Sequence, residues 1–408
     1  PSRIKHLRGL FLKGRFNMVD LTKYMKKELE LVKPSEILAF AQYSSKIPDI
    51  TKFTVGEPDF NTPEHIKEAA IAGVKANHSH YAPSNGTLGL RKAAANFLKE
   101  RYGLEYNPEN EVIVTNGATE AIYTALTSVL NPGDKVVVPT PIFPLYIADA
   151  SLVGAEPILV DTSKNGFKLS ADMLKVVLDG HGDDVRVVVL NYPSNPTGVT
   201  YSQKELDELA DVIRDKPIFA LCDEIYSELC YDQEHASLAK SLREQAIVLN
   251  GVSKSHAMTG YRIGIMTAPA EITKELSKIH QFTITTTTAI AQDAAQEAFE
   301  NGLNDSQEMK KEYQARRDYL YSNLTKLGFE CAKPQGAFYI FAKIPAGLEQ
   351  DDKKFIYDLA EKAKVAVTAG SFFGKGGEHY IRLSYATSME EIKKGVARIA
   401  KYVEEESK

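Results

Sequence analysis

The sequence predicts an α/β protein whose larger domain contains a mostly parallel sheet and whose smaller domain is α+β. In the middle of the chain, short runs rich in β-branched residues alternate with segments of helical periodicity, which is typical of βαβ units. Further along, the pattern changes to charged helical segments and short strand-like runs. We therefore expect a large domain at about residues 65–295, with residues 18–64 joining residues 300–408 in the smaller domain.

The elements of the larger domain follow from the periodicity of its apolar residues. Strands are predicted at residues 112–115, 135–138, 157–160, 185–190, 218–222 and 246–249. A helix is predicted around residues 122–130, because apolar side chains there recur on one helical face. A second helix is predicted over residues 206–213, after the capping-box pair Ser202 and Glu205.

In the smaller domain, residues 307–326 form a charged, helix-favouring stretch, and residues 338–341 and 380–384 have strand patterns. A last helix is predicted over about residues 389–405, with these side chains facing inward: Ile392, Val396, Ile399 and Val403. At the other end of the chain, residues 1–17 are basic and precede Met18. We interpret them as an extension, disordered or derived from cloning, rather than as a targeting peptide.

Composition limits the classes of function. At 408 residues the chain is long enough for a sizeable core and about two or three domains. Its net charge of −5 argues against a nucleic-acid binder, which normally has a concentrated basic face. Cys222, Cys230 and Cys331 form no CxxC pair and suit a reducing compartment, so we expect a cytoplasmic protein. No apolar run approaches the ~20 residues that a membrane helix needs.

Lys254 lies in the most informative segment, residues 251–264, where Arg262 follows it between Gly260 and Gly264. A partly desolvated lysine can lose its proton, attack a carbonyl and form a Schiff base. An arginine can hold a phosphate through its planar fork of donors. An aldehyde that carries a phosphate needs both groups, and pyridoxal 5′-phosphate (PLP) is the best-known molecule of this kind.

Other polar motifs directly follow predicted strands, where open α/β sheets bind ligands. They comprise residues 116–120, 191–198 and 223–226. The first of them leads into a helix, whose N-terminus offers free N–H groups to a phosphate. Taken singly, the motifs have ordinary interpretations: a turn at residues 195–198, a helix N-cap at Asp223, core aromatics at Phe143 and Tyr146, and a surface ion pair at Arg382.

In their order and spacing these motifs resemble a class I aminotransferase of the PLP fold-type I superfamily, from about residue 30 to the C-terminus. The resemblance extends to further blocks at residues 56–60, 81–91, 334–339 and 382–385. It implies a large PLP-binding domain with a mostly parallel seven-stranded sheet, and a smaller α+β domain. It also implies PLP as the cofactor, no metal, and a homodimer as the functional unit.

The resemblance implies roles around the cofactor ring. Lys254 would hold PLP through a Schiff base and then shuttle the proton. Asp223 would face the pyridine nitrogen, raise its pKa and keep it protonated. Asn195 and the catalytic Tyr226 would hydrogen-bond the ring hydroxyl oxygen, and Phe143 would stack on the ring.

It also implies the contacts to the phosphate and to the substrate. The phosphate would be bound by the following residues, the last of them from the neighbouring subunit: Gly117, Ala118, Thr119, Arg262 and Tyr81. Arg382 would bind the substrate α-carboxylate bidentately, with Gly56 and Asn195 also in the substrate site.

Two positions depart from the family pattern. Gly251 stands where the family often has a serine that contacts the phosphate, although glycine is also allowed there, and Ser253 is close in sequence. Thr119 stands where one aspartate-using branch has a lysine that binds an acidic side chain. Its absence argues against aspartate as the preferred donor.

We therefore predict PLP-dependent transamination between an aromatic or other large neutral amino acid and a 2-oxo acid such as 2-oxoglutarate. The blocks at residues 192–200, 223–229 and 253–256 resemble a bacterial subgroup of aromatic and N-acetyl-diaminopimelate aminotransferases, so a lysine-pathway donor is the close alternative. A PLP-dependent carbon–sulfur β-lyase would use the same lysine, aspartate and arginine. A non-catalytic regulator would need a DNA-binding domain longer than residues 1–30, and a dehydrogenase would need a G-x-G-x-x-G after its first strand.

Overall fold

The structure is a computed structural model that describes residues 20–407, so the predicted extension at residues 1–17 lies outside the described residues. Within residues 20–407, no helix has the length and apolar character needed to cross a membrane.

The strands of the described chain form a large sheet and two smaller ones. In chain order they are β1 (Thr51–Lys52), β2 (Val112–Thr115), β3 (Lys135–Thr140), β4 (Glu156–Asp161), β5 (Val185–Asn191), β6 (Phe219–Asp223), β7 (Ala246–Gly251), β8 (Gly264–Thr267), β9 (Glu330–Cys331), β10 (Tyr339–Lys343), β11 (Val365–Ala366), β12 (Thr368–Ala369) and β13 (Tyr380–Ser384).

Helices connect these strands. In chain order they are α1 (Glu36–Ser44), α2 (Glu64–Lys75), α3 (Leu88–Tyr102), α4 (Gly117–Val129), α5 (Leu145–Leu152), α6 (Ala171–His181), α7 (Gln203–Ile213), α8 (Ala239–Leu242), α9 (Val252–Ser255), α10 (Ala270–Ile284), α11 (Ala289–Asn301), α12 (Ser306–Lys326), α13 (Asp352–Ala363) and α14 (Met389–Glu406). Short 3-10 turns lie at Leu21–Tyr24, Lys27–Leu31, Ser163–Asn165, Gly182–Asp184, Arg243–Gln245, Thr259–Tyr261 and Gly370–Phe373.

The large sheet has seven strands in the order β2-β8-β7-β6-β5-β3-β4, which confirms the predicted α/β fold. All of its pairs are parallel except those made by β8, which runs antiparallel to both β2 and β7. The six predicted strands are present, and β8 is the strand that the sequence did not predict. It has four residues, and it returns beside β7 without the long crossover helix that marks a βαβ unit.

The predicted helices are also present. α4 begins at Gly117, and Ser202 and Glu205 form the predicted capping box before α7. The charged stretch forms α12, whose outer faces remain solvated while Tyr313 and Leu320 are buried. In α14 the predicted inward positions are buried, except that Val403 is only half-buried and packs at the edge of the core beside the buried Tyr402.

The interior contains separate apolar clusters. Side chains on the two faces of the seven-stranded sheet form two of them, with α3, α7 and α11 on one face and α4 and α5 on the other. A third cluster joins Phe40 and Phe53 from the N-terminal segment to α12, α13, α14 and the four-stranded antiparallel sheet β12-β13-β10-β9. β1 pairs with β11 in the same region. These contacts support the predicted association of residues 18–64 with residues 300–408, while the domain boundaries stay a prediction.

Candidate active site

A cavity of about 500 Å³ opens where β5, β6 and β7 end and α4 and α9 begin. Because these strands are parallel, the polar residues that follow them meet at one edge of the sheet. The predicted site residues that line the cavity are Gly56, Ala118, Thr119, Phe143, Asn195, Asp223, Tyr226, Lys254, Arg262 and Arg382. The motifs that had ordinary structural interpretations when taken singly therefore contribute to one site.

Lys254 is half-buried in the short helix α9. Its Nζ donates to the Gly56 carbonyl oxygen at 2.7 Å and lies 5.7 Å from the centre of the Tyr226 ring. Burial lowers the pKa of Lys254 to about 8, although the nearby Glu57 carboxylate opposes the shift. Since a neutral amine is the nucleophilic form, this environment makes the reactive form accessible near neutral pH.

Asp223 is the last residue of β6, and its side chain is buried at 4% exposure. Burial raises its pKa, and two hydrogen bonds oppose that shift: Oδ2 accepts from the Tyr146 hydroxyl at 2.6 Å, and Oδ1 accepts from the Ile225 N–H at 3.1 Å. The sequence did not predict the contact with Tyr146, which had been interpreted as a core aromatic. The signal was its position three residues after Phe143, near the start of α5, where both residues can face the same site.

Arg382 projects from β13 and is 3% exposed, so it is not the surface ion pair that was one interpretation of its sequence. Its Nη1 donates to Asn195 Oδ1 at 2.9 Å, and its Nη2 donates to the Thr54 carbonyl oxygen at 2.8 Å. Its guanidinium lies 4.5 Å from the centre of the Tyr339 ring. Its buried Nε has no hydrogen-bond partner among the described residues, so the guanidinium keeps a free donor for an anion.

Two tyrosines close the wall between Arg382 and Lys254. The hydroxyls of Tyr226 and Tyr339 lie 2.9 Å apart, and burial is the main cause that raises the pKa of each. Both phenols therefore remain protonated: one donates to the other, and the accepting phenol keeps its own O–H to donate to an oxygen in the cavity. Sequence reasoning assigned a role to Tyr226 and placed Tyr339 only within a motif.

The other end of the cavity lies at the N-terminus of α4. Gly117 has a φ of +75°, and a Cβ on it would lie 2.3 Å from Arg262 Nη2. The guanidinium can therefore rest against the helix N-terminus because residue 117 has no side chain. Arg262 is exposed, and its Nη1 donates to the Thr259 carbonyl oxygen at 2.8 Å. This arrangement places a cation and free N–H groups together at the first turn of a helix.

Gly251 ends β7 where the chain turns into α9. A Cβ built at this position would lie 2.9 Å from the Ile263 carbonyl oxygen and 3.0 Å from Gly264 Cα, so the backbone packs too closely to accept a serine without a shift. Ser253 is buried and lines the cavity.

Not every predicted residue reaches the cavity. Gly117 lies against the Arg262 guanidinium and does not itself line the cavity. Tyr81 is 87% exposed and lies beside Thr286 and Thr288, away from the cavity. Phe143 lines the cavity with 38% of its surface exposed. Sequence reasoning also missed an apolar part of the wall that α1 contributes through Ile37, Leu38 and Ala41. These residues follow no strand and carry no polar motif, so nothing in the local sequence marks them as part of a site.

Comparisons with known proteins show the family of this chain. Residues 48–399 match the family model described as aminotransferase class I and II. The chain belongs to this aminotransferase family. It is 43% identical over 387 residues to a Bacillus subtilis protein named "Probable N-acetyl-LL-diaminopimelate aminotransferase", covering 95% of this chain and 96% of the relative. It is 37% identical to an aspartate aminotransferase of Pyrococcus horikoshii, covering 94% of this chain and 98% of that one.

A solved structure shows the same fold as this aminotransferase. The aromatic aminotransferase of Pyrococcus horikoshii OT3 superposes with a TM-score of 0.84 at 36% identity, covering 90% of this chain and 99% of that one. The predictions of a class I aminotransferase, of its fold and of amino-acid transamination are thereby confirmed. The names of the relatives differ in their substrates, so the family does not determine the donor of this chain.

Proposed function

We propose that this aminotransferase uses PLP, held by Lys254 at the centre of the cavity. One observation carries the proposal: three groups line the same cavity. They are a lysine with a lowered pKa, a buried carboxylate, and an arginine at a helix N-terminus. The residues fit a phosphorylated aldehyde of this kind. The close approach of Arg262 to Gly117 supports a phosphate site, because cation and helix dipole reinforce each other there.

The ring of the cofactor would lie between this phosphate site and Asp223. Ala118, Thr119 and Arg262 would bind the phosphate, and Phe143 would cover the ring. Asp223 accepts hydrogen bonds from Tyr146 and Ile225, which favour its anionic form, and it would pair with the pyridine nitrogen.

Asn195 and Tyr226 would donate to the ring hydroxyl oxygen. Asn195 Oδ1 already accepts from Arg382, which leaves its amide N–H₂ free to donate into the cavity. When bound, PLP supplies an electron sink that makes the Cα proton of the amino acid acidic.

The residues of this chain would then bind the substrate and move its proton. Arg382 would hold the α-carboxylate through Nη2 and the unpartnered Nε, which fixes the Cα–H bond near Lys254. Lys254, as a neutral amine, would take the proton from Cα of the bound amino acid, hold it as an ammonium and give it back later in the reaction. Gly56 would assist through its main chain, which already contacts the lysine.

We propose an aromatic or other large neutral amino acid as the donor, with 2-oxoglutarate as an acceptor. The apolar side chains of Ile37, Leu38 and Ala41 support a large apolar side chain in the cavity. The resemblance to the Bacillus subtilis relative favours an N-acetyl-diaminopimelate donor as the second candidate. The cationic side chains that the described residues contribute to the cavity are Lys254, Arg262 and Arg382, and the roles above use all of them, which favours the neutral donor.

The functional unit would be a homodimer. Tyr81 and Phe282 are 87% and 89% exposed, and such exposure of large aromatic residues supports a contact with a second copy. In the dimer, Tyr81 would reach the phosphate bound by the partner.

We propose a cytoplasmic location, supported by the absence of disulfides among the three cysteines.

The test is to incubate the protein with PLP, reduce it with borohydride and map the labelled peptide. We expect the label at Lys254, and we expect Lys254→Ala to bind PLP without transaminating. A panel of amino donors with 2-oxoglutarate would then rank phenylalanine, tyrosine, aspartate and N-acetyl-diaminopimelate. A label at another lysine would refute the assignment. Release of pyruvate and ammonia from a cystathionine-type substrate, without amino transfer, would indicate the β-lyase instead.

A further inference from the structure

Residues 54–59, called the strap here, form part of the cavity wall and supply main-chain acceptors to its two central cations. The Gly56 carbonyl oxygen accepts from Lys254 Nζ at 2.7 Å, and the Thr54 carbonyl oxygen accepts from Arg382 Nη2 at 2.8 Å. The proposed function uses both of these nitrogen atoms to bind ligands. The position of the strap therefore sets where both cations point before a ligand arrives.

The strap is fixed at each end by elements outside the cavity. On one side, the Phe53 carbonyl oxygen accepts from the Ser384 N–H at 2.8 Å. On the other side, Asp59 accepts from α12: Arg316 Nη1 donates to its two carboxylate oxygens at 2.8 and 2.9 Å, and the Tyr313 hydroxyl donates to Oδ1 at 3.1 Å. Between these anchors, Val55, Gly56 and Glu57 are exposed, so little packing holds the middle of the strap.

The anchor at Asp59 is largely shielded from water. The side chain of Arg316 is 7% exposed, that of Asp59 is 27% exposed, and Tyr313 is fully buried. The Arg316 guanidinium also lies 5.2 Å from the centre of the Phe60 ring, and that ring packs edge-on against Tyr313 at 5.4 Å. Arg316 Nε also donates to Glu312 at 3.1 Å, so two carboxylates hold this buried guanidinium. Because the pair with Asp59 is largely shielded from water, it holds its geometry more firmly than a surface ion pair would.

We propose that Asp59 is a positioning residue, whose contacts with α12 hold the strap where its two carbonyls orient Arg382 and Lys254. The inference rests on the proposed function of those two side chains. If the strap shifts, Arg382 Nη2 loses the Thr54 carbonyl and keeps only the longer contact with Thr368 Oγ1 at 3.4 Å, beside a buried Nε that has no hydrogen-bond partner among the described residues. A buried guanidinium with one weakly paired donor and one unpaired donor reorients toward other acceptors, and the site for the carboxylate is then no longer preformed.

The experiment compares Asp59→Asn with the unmodified PLP-bound enzyme. The probe is 3-phenylpropionate, a carboxylate without an amino group, and its Kd is measured from the absorbance change of the bound cofactor. We expect this Kd, and KM for L-phenylalanine, to rise about tenfold, equivalent to about 1.4 kcal/mol. The change in kcat should stay below about threefold, because the contact acts on binding rather than on the proton transfer.

Asp232→Asn is the matched control. Asp232 accepts from Arg317, the next residue of α12, at 2.7 and 3.1 Å, and neither residue lines the cavity. Both variants remove a carboxylate from an arginine of the same helix, so both should lower the melting temperature by a few degrees. Asp232→Asn should leave the Kd of 3-phenylpropionate and KM unchanged.

Tyr313→Phe keeps the ion pair and removes one hydroxyl from Asp59, so it should raise the same Kd about threefold. If Asp59→Asn does not fold, Tyr313→Phe still tests the inference. Equal Kd and KM values in Tyr313→Phe, Asp59→Asn and Asp232→Asn would refute the inference and leave the proposed function intact. Failure of the unmodified protein to bind PLP at Lys254 would refute the proposed function, and the inference with it.

Discussion

The hydrogen bond from Tyr146 to Asp223 gives the sharpest test of the proposed chemistry. The phenol donates at 2.6 Å to a carboxylate that is 4% exposed, and the other carboxylate oxygen accepts from the Ile225 N–H. Tyr146→Phe removes one of these two donors and changes little volume. A hydrogen bond to a charged group contributes about 1.5–3 kcal/mol, and one pKa unit corresponds to about 1.4 kcal/mol.

The sign of the effect follows from which form of Asp223 the phenol stabilises. Because the phenol donates to the anion and holds the pKa of Asp223 down, its removal raises that pKa. Burial already raises this pKa, so the variant shifts the carboxyl further toward its neutral form. The neutral form of Asp223 cannot form an ion pair with a protonated pyridine, and we expect kcat to fall about tenfold or more.

The assay is kcat with the best donor of the panel, measured with saturating PLP and donor, together with the melting temperature of each variant. Tyr102→Phe is the control, since the Tyr102 hydroxyl donates to the buried Glu228 at 2.6 Å and does not line the cavity. Both variants should lose stability, and Tyr146→Phe alone should lose kcat. Equal kcat values in the two variants would refute the reasoning and reduce Tyr146 to a packing residue.

Other predictions concern the carboxylate, the side-chain specificity and the lysine. Arg382→Lys should raise KM for the donor about thirtyfold or more, because lysine cannot replace a planar fork of donors; an unchanged KM would remove Arg382 from that role. Thr119→Lys should raise kcat/KM for aspartate relative to phenylalanine about tenfold, and an unchanged ratio in the donor panel would contradict this. In PLP-free protein, the rate of PLP capture should increase through pH of about 8 as Lys254 loses its proton, and a rate that is flat from pH 6 to 10 would contradict the lowered pKa.

Local signals in the sequence were sufficient for most of the fold. The strands β2, β5 and β7 are mostly apolar runs because both faces of the sheet are covered there. The capping box before α7 depends on neighbouring residues only. β8 escaped prediction because its four residues begin with a glycine and follow the short 3-10 turn Thr259–Tyr261 rather than a long helix. Its antiparallel pairing depends on β2, which lies about 150 residues away along the chain.

The same distinction applies to the site. Lys254, Asp223, Asn195 and Arg382 belong to motifs that can be found one by one, and the parallel sheet explains why they meet. The contact between Tyr146 and Asp223 joins residues that are 77 positions apart, and the strap meets α12 across more than 250 positions. Such contacts depend on how distant elements pack against each other, so no local sequence motif predicts them.

The unusual feature of the cavity is that folding leaves its charges incompletely balanced. Asp223 is buried with a raised pKa, Arg382 keeps an unpartnered Nε, and the amine of Lys254 is partly desolvated. Each of these conditions lowers the stability of the folded chain, because burying a charge without full compensation costs free energy. A ligand that brings a cation to Asp223, a carboxylate to Arg382 and an aldehyde to Lys254 would relieve all of them at once. The three groups whose burial lowers stability are therefore the groups that the proposed ligand would contact. This is the physical reason why residues with perturbed pKa values cluster at active sites.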